Sequence, residues 1–212
     1  MSEQNPTVGI FGGGRVGTAL ARLAVGAGYQ PLLTGTGDTG ELQWMLDLLA
    51  PGAQAVDPDT LVGRSDVVVL SVPFGKAAAL PYDLFDGAIV VEAMNYWAPV
   101  DGTLDGIGTD GRGTSEIIAD NNPRARWVKS LNHLGYHDME DDPLPPGSPN
   151  RRAVGIATDD TEAGRVVATF VDRIGFEPVV VGPLSAGRAL EPGGEVFGRR
   201  LTREAFRRAV TV

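Results

Sequence analysis

Short runs of Val, Ile and Leu alternate along the chain with longer stretches whose apolar positions recur every three or four residues. The runs at 7–11, 31–34, 66–72, 88–92 and 126–131 are short and almost continuously apolar, so they read as strands buried on both faces. Between them, 16–27, 40–49 and a short piece around 58–63 carry helical spacing. Buried strands separated by helices predict a parallel sheet covered on both sides. The last third repeats the theme, with a strand at 152–157, a helix from about 161 to 174 and a strand at 177–181. Residues 182–198 are rich in Gly and Pro and read as an irregular tail, followed by a final helix near 201–210. The pattern predicts an α/β chain: one doubly wound, mostly parallel sheet, organised as a single domain over residues 1–212. Two stretches, 93–112 and 133–151, show no regular pattern. Both follow predicted strands, where open α/β sheets place their ligand loops.

Composition narrows the function classes. A chain with 42% hydrophobic and 21% charged residues is not expected to be disordered. Without cysteine it has no disulfides, no thiolate metal ligands and no cysteine nucleophile. The net charge of -9 argues against a nucleic-acid partner, which calls for a basic footprint. Arg199, Arg200, Arg203, Arg207 and Arg208 read instead as the solvated face of the last helix, with Leu201, Ala205 and Phe206 as its apolar stripe. Met1–Pro6 has neither a basic region nor an apolar stretch, and no run is long enough to span a membrane, so a cytoplasmic protein is expected.

The strongest motif is Gly12-Gly13-Gly14-Arg15-Val16-Gly17, a G-x-G-x-x-G between the first strand and a helix whose Val16, Ala19, Leu20, Leu23 and Ala24 share a face. Gly12 permits the tight turn, Gly14 lets a pyrophosphate approach the backbone, and Gly17 allows close helix–strand packing. The N–H groups at the helix start then face the anion. This is the signature of a Rossmann-type dinucleotide fold; a glycine turn for another nucleotide-like ligand, such as S-adenosylmethionine, is the alternative. NAD enzymes place an acid at the end of the second strand. Here that end reads Thr34-Gly35-Thr36, small and neutral, with room for a 2′-phosphate, so NADP(H) is favoured over NAD(H). Asp38, with Glu41 three residues on, reads better as a helix cap than as the missing acid. Arg15 is the nearest candidate cation.

The sequence resembles the NADP-dependent oxidoreductases that use the deazaflavin coenzyme F420. The resemblance rests on residues 8–17, on Asp66-Val67-Val68-Val69-Leu70-Ser71-Val72-Pro73, and on Gly182-Pro183-Leu184-Ser185. It implies that Ser71, Val72 and Pro73 border the cofactor. It further implies that Ala93, Met94 and Asn95 approach the nicotinamide and that Asn132 and His133 lie beside the stacked rings. Two features depart from that family: Thr36 stands where it carries an arginine, and 95–102 and 132–138 are unlike its core pattern.

Hydride transfer between two rings needs stacking and dryness more than acid–base help. Tyr96 and Trp97 suit such a wall, with His137 as a further substrate contact. A carbonyl or imine substrate would need a proton donor, for which His133 is the candidate, with Asn132 as a hydrogen-bond donor. A histidine capping loop backbone is the bland alternative. His133 and His137 are four apart, but Gly135 between them argues against a shared helix, so no metal is expected. The acidic run Glu140-Asp141-Asp142 reads as solvated loop. The leading expectation is an NADP(H)-dependent oxidoreductase acting on a deazaflavin or similar ring. A small carbonyl or imine reductase and a non-catalytic NADP(H) sensor are the alternatives. A homodimer would have to form through the sheet edge or the tail.

Overall fold

A computed structural model describes residues 6–102, 107 and 111–210. The reading of Met1–Asn5 and part of the 93–112 loop lie outside the described residues. The strands are β1 (Thr7–Phe11), β2 (Gln30–Thr34), β3 (Gln54–Ala55), β4 (Val67–Leu70), β5 (Ile89–Glu92), β6 (Arg126–Ser130), β7 (Ala153–Ala157) and β8 (Glu177–Gly182). The helices are α1 (Arg15–Gly26), α2 (Thr39–Leu49), α3 (Pro58–Arg64), α4 (Ala98–Asp101), α5 (Thr114–Ala119), α6 (Tyr136–Asp141), α7 (Thr161–Arg173) and α8 (Arg203–Val210). All eight strands form one sheet in the order β3-β2-β1-β4-β5-β6-β7-β8. The first six follow the doubly wound dinucleotide order, with the crossover direction reversing between β1 and β4.

Period-two alternation divides the strands between two cores. Ile10, Val69, Val91 and Val128 face one side, with Leu20, Leu46, Val167 and Phe170 from the helices. Phe11, Leu70, Val90 and Trp127 face the other, with Leu61, Phe74 and Phe85. A smaller cluster joins Ala153, Val179, Leu190, Val196 and Phe206, and it fixes the tail and α8 against the last two strands. Among the described residues, no helix is long and apolar enough to cross a membrane.

Asp38 caps α2: one carboxylate oxygen accepts from the N–H groups of Gly40 at 2.8 Å and Glu41 at 3.1 Å. Asp38→Ala should therefore cost about 1 kcal/mol in urea unfolding. An unchanged midpoint would mean the cap contributes nothing.

The structure adds to or departs from the sequence expectations in several places. β7 runs antiparallel to β6 within the otherwise parallel sheet, and the connection that holds α6 returns the chain to the same end of the sheet. Helices α4 and α5 and the two-residue β3 were not expected. Residues 133–151 contain a helix. Gly135 precedes α6 rather than preventing it, and Asp138 reaches back to accept from the Gly135 N–H at 2.8 Å. The acidic run is not simply solvated: Asp142 is buried between Arg152 at 2.7 Å and Arg200 at 2.9 Å, and Glu140 pairs with Arg22. Likewise Arg200 and Arg203 are engaged, the latter with Glu177, whereas the expected apolar anchor Phe206 is buried.

Candidate functional site

The C-terminal ends of β2, β1, β4, β5 and β6 line up along one edge of the sheet, and the glycine loop lies at its centre. Gly12 adopts φ +121°, a left-handed conformation that suits glycine, and its N–H donates to Thr34 O at 2.8 Å. A Cβ there would meet Ser71 O at 2.7 Å, and a Cβ on Gly17 would sit 1.8 Å from Gly12 O. Around Gly14 there is open space, with no atom within 4 Å of a Cβ position. The loop is thus closed against the protein at Gly12 and Gly17 and open outward at Gly14, where α1 begins. This cradle fits a pyrophosphate at a helix N-terminus. Ser71 braces it from β4 by donating its hydroxyl to Phe11 O at 3.0 Å, with Val72 half-buried and Pro73 exposed beyond.

On the β2 side, Thr34 is buried while Gly35 and Thr36 are exposed next to the loop. Arg15 does not turn toward them. Its guanidinium donates to the Tyr136 hydroxyl at 3.0 Å and lies 5.4 Å from the centre of that ring, on the α6 side of the loop. The combined hydrogen bond and cation–π contact explain why the expected phosphate cation points the other way.

On the β5 and β6 side, the loops at 93–95 and 132 are joined through amides. Asn95 donates to Asn132 O at 2.6 Å, and Asn132 donates to Asn95 Oδ1 at 3.0 Å and to Leu190 O at 2.7 Å. Ala93 N–H extends the β4–β5 pairing to Leu70 O at 3.1 Å. Tyr96 packs edge-on against Phe74 and donates its hydroxyl to Gly102 O at 2.8 Å. Trp97 is 48% exposed and lies nearly parallel to Phe197 of the tail, with ring centroids 6.5 Å apart. Asp101 accepts from Trp97 N–H and Gly75 N–H, both at 2.8 Å, and so ties this loop to the one after β4.

His133 lies apart from this surface. It is buried, Nε2 accepts from the Gly155 N–H at 3.2 Å, and Nδ1 faces Asn132 Oδ1 at 3.3 Å. Burial, reinforced by the Arg152 and Lys129 charges, pushes its pKa down to about 3. The ring is neutral, with both nitrogens engaged inside the protein, as in a backbone-capping histidine. His137 is exposed on α6, its ring 4.1 Å from that of Tyr136, and His133 lies before the helix, so the two share no helical face.

The sequence reading missed a buried polar cluster beneath this edge: Glu92, Lys129, Thr114 and Ser115. The visible signal was Glu92 at the end of an apolar strand and Lys129 within the neighbouring one. A cavity of about 800 Å³ lies elsewhere, between α1, α7 and the strap at 143–146, and does not belong to the strand edge.

Residues 7–96, less than half of the chain, match the family described as "NADP oxidoreductase coenzyme F420-dependent". A hypothetical protein from Sinorhizobium meliloti is similar over 95% of this chain and 97% of its own, with 25% identity and a TM-score of 0.80. Residues 7–96 thus resemble an NADP(H) oxidoreductase family, and the chain as a whole has a Rossmann fold. The chain is also similar to a protein from Arthrobacter sp. provisionally named an F420-dependent NADP-reductase, with 20% identity, 85% of this chain, 86% of that one and a TM-score of 0.70. An imine reductase from Myxococcus stipitatus shares the fold at 16% identity and a TM-score of 0.62, over 88% of this chain but 58% of its own. No curated protein matches the sequence.

Proposed function

We propose that this oxidoreductase transfers a hydride between NADPH and a flat ring substrate of the deazaflavin class, coenzyme F420. The observation that carries the reading is the makeup of the cleft at the β5 and β6 ends. It has an exposed indole braced by Phe197 and a neutral amide pair, Asn95–Asn132, while the histidine beside them is buried and held neutral. Such a site stacks and orients rings without moving a proton. NADPH supplies the hydride; the chain's own part is to seat and align it. Gly12–Gly17 hold the pyrophosphate on the N–H groups of α1. Thr34, Gly35 and Thr36 receive the ribose phosphate through hydroxyl and backbone donors, and Ser71, Val72 and Pro73 form the floor. Ala93, Met94 and Asn95 meet the nicotinamide. Tyr96 and Trp97 wall the second ring, with His137 at the mouth.

The test is a fluorescence titration with NADPH and NADH, followed by oxidised deazaflavin with its absorbance monitored. Preferential NADPH binding and rapid bleaching are expected. Trp97→Ala should then raise the KM for the deazaflavin about tenfold, the scale of one lost base-sized stacking contact, while the Kd for NADPH stays within about twofold. Tight NADPH binding without bleaching would sink the deazaflavin assignment. It would point to a small carbonyl or imine instead.

A further inference from the structure

Lys129 and Glu92 are both fully buried and pair at 2.7 Å. Taking two charges out of water is costly, and well-packed apolar residues often serve stability as well or better. What distinguishes this pair is where its hydrogen bonds go. Lys129 Nζ donates to Glu92 Oε2, to Met94 O at 2.9 Å and to Thr114 Oγ1 at 3.2 Å, which uses its full set of three. Glu92 Oε1 accepts from the Met94 N–H at 2.6 Å, and Oε2 also accepts from the Ser115 hydroxyl. Both backbone groups of Met94 are therefore held by one ion pair, the N–H by the anion and the carbonyl by the cation.

Met94 lies two residues past the end of β5, where the strand ladder no longer dictates the chain's course. It directly precedes Asn95, whose amide bridges to Asn132. The cluster is anchored from outside as well. Thr114 N–H and Oγ1 donate to Glu191 Oε1 at 2.6 and 2.8 Å, and a Cβ on Gly187 would lie 2.9 Å from the Lys129 stem, so the tail covers it closely.

We propose that Lys129 and Glu92 are positioning residues for the nicotinamide end of the site: the pair fixes the Met94 peptide and thereby aims Asn95. The inference rests on the reading that the nicotinamide lies against 93–95. The pair carries no net charge and touches no part of the cleft surface itself, so it acts through backbone geometry.

The test compares Lys129→Met and Glu92→Gln with the wild-type protein in binding two ligands: NADPH, and 2′-phospho-ADP-ribose, which keeps the adenosine half and pyrophosphate but lacks the nicotinamide. In the wild type, NADPH should bind more tightly than the fragment. In the variants the fragment Kd should stay within about twofold, while the NADPH advantage shrinks about tenfold and the blue shift of bound NADPH emission is lost. Thr114→Val takes one acceptor from Nζ and leaves both charges in place. It should show the same pattern more weakly, and it decides the matter if neither charge variant folds. Equal weakening of both ligands, or an unchanged NADPH advantage, would overturn the proposal. Wild-type protein that binds the two ligands equally would instead show that the nicotinamide is not held at this edge, and the functional reading would fall with it.

Discussion

Gly17→Ala should abolish useful NADPH binding, raising Kd at least about a hundredfold, or about 2.7 kcal/mol. The added Cβ would sit 1.8 Å from Gly12 O, a backbone atom that cannot swing aside as a side-chain tip could. Gly12 has no freedom to yield: its N–H is bonded to Thr34 O and Ser71 lies directly behind it. The start of α1 must therefore shift, and with it the N–H groups proposed to receive the pyrophosphate. Overpacking of this kind also costs about 1–3 kcal/mol of stability. Gly26→Ala is the matched control. It lies on the same helix with nothing within 4 Å of its Cβ position, and should leave affinity unchanged while stabilising the fold by up to about 1 kcal/mol. Wild-type affinity in Gly17→Ala would remove the glycine loop from the cofactor site.

Acid should weaken the fold well before the carboxylates titrate. His133 is neutral in the folded chain, with its pKa depressed to about 3, whereas in the unfolded chain it protonates near its ordinary value of about 6.5. Its contribution is thus complete above pH 6.5 and drains away as the pH falls toward 3, because the unfolded state takes up a proton that the folded state refuses. Between pH 7.5 and 5.0 the loss should be about 2 kcal/mol, read by urea unfolding at the two values. His133→Gln should be less stable at neutral pH but should lack most of this pH dependence. A wild-type stability that stays level across that interval would mean the imidazole accepts a proton in place, and the assigned hydrogen bond from Gly155 to Nε2 would be wrong.

The parts legible in the sequence were those governed by local rules. Near-continuous apolar runs at β1, β4 and β5 and the spacing of the glycine loop made the sheet and the turn between β1 and α1 readable. Asp38 was readable as a cap because capping is settled within four residues. Other features depended on partners distant along the chain. Gly135 read as a helix breaker, yet a glycine just before a helix permits its start, and only the return contact from Asp138 makes that visible. Asp142 read as solvent-facing because Arg152 and Arg200 reach it from just before β7 and just before α8. Arg15 was assigned by proximity in sequence to the ribose end, while Tyr136, 121 residues away, holds it elsewhere. The burial of Lys129 and Glu92 follows from strands β5 and β6 being neighbours, which no local pattern states.

The tail does more than complete the last core. Leu190 O receives Asn132, Glu191 receives Thr114, Phe197 backs Trp97, and the Gly198 N–H donates to His133 O at 3.1 Å. These contacts reach the loops and the buried cluster at the β5 and β6 ends, whereas Thr34 and Ser71, at the ends of β2 and β4, pack against Gly12. The two halves of the site are thus shaped by separate lengths of chain. Descendants of this sequence could revise residues 184–198 and so reshape the proposed wall for a second ring, while inheriting the glycine loop unchanged.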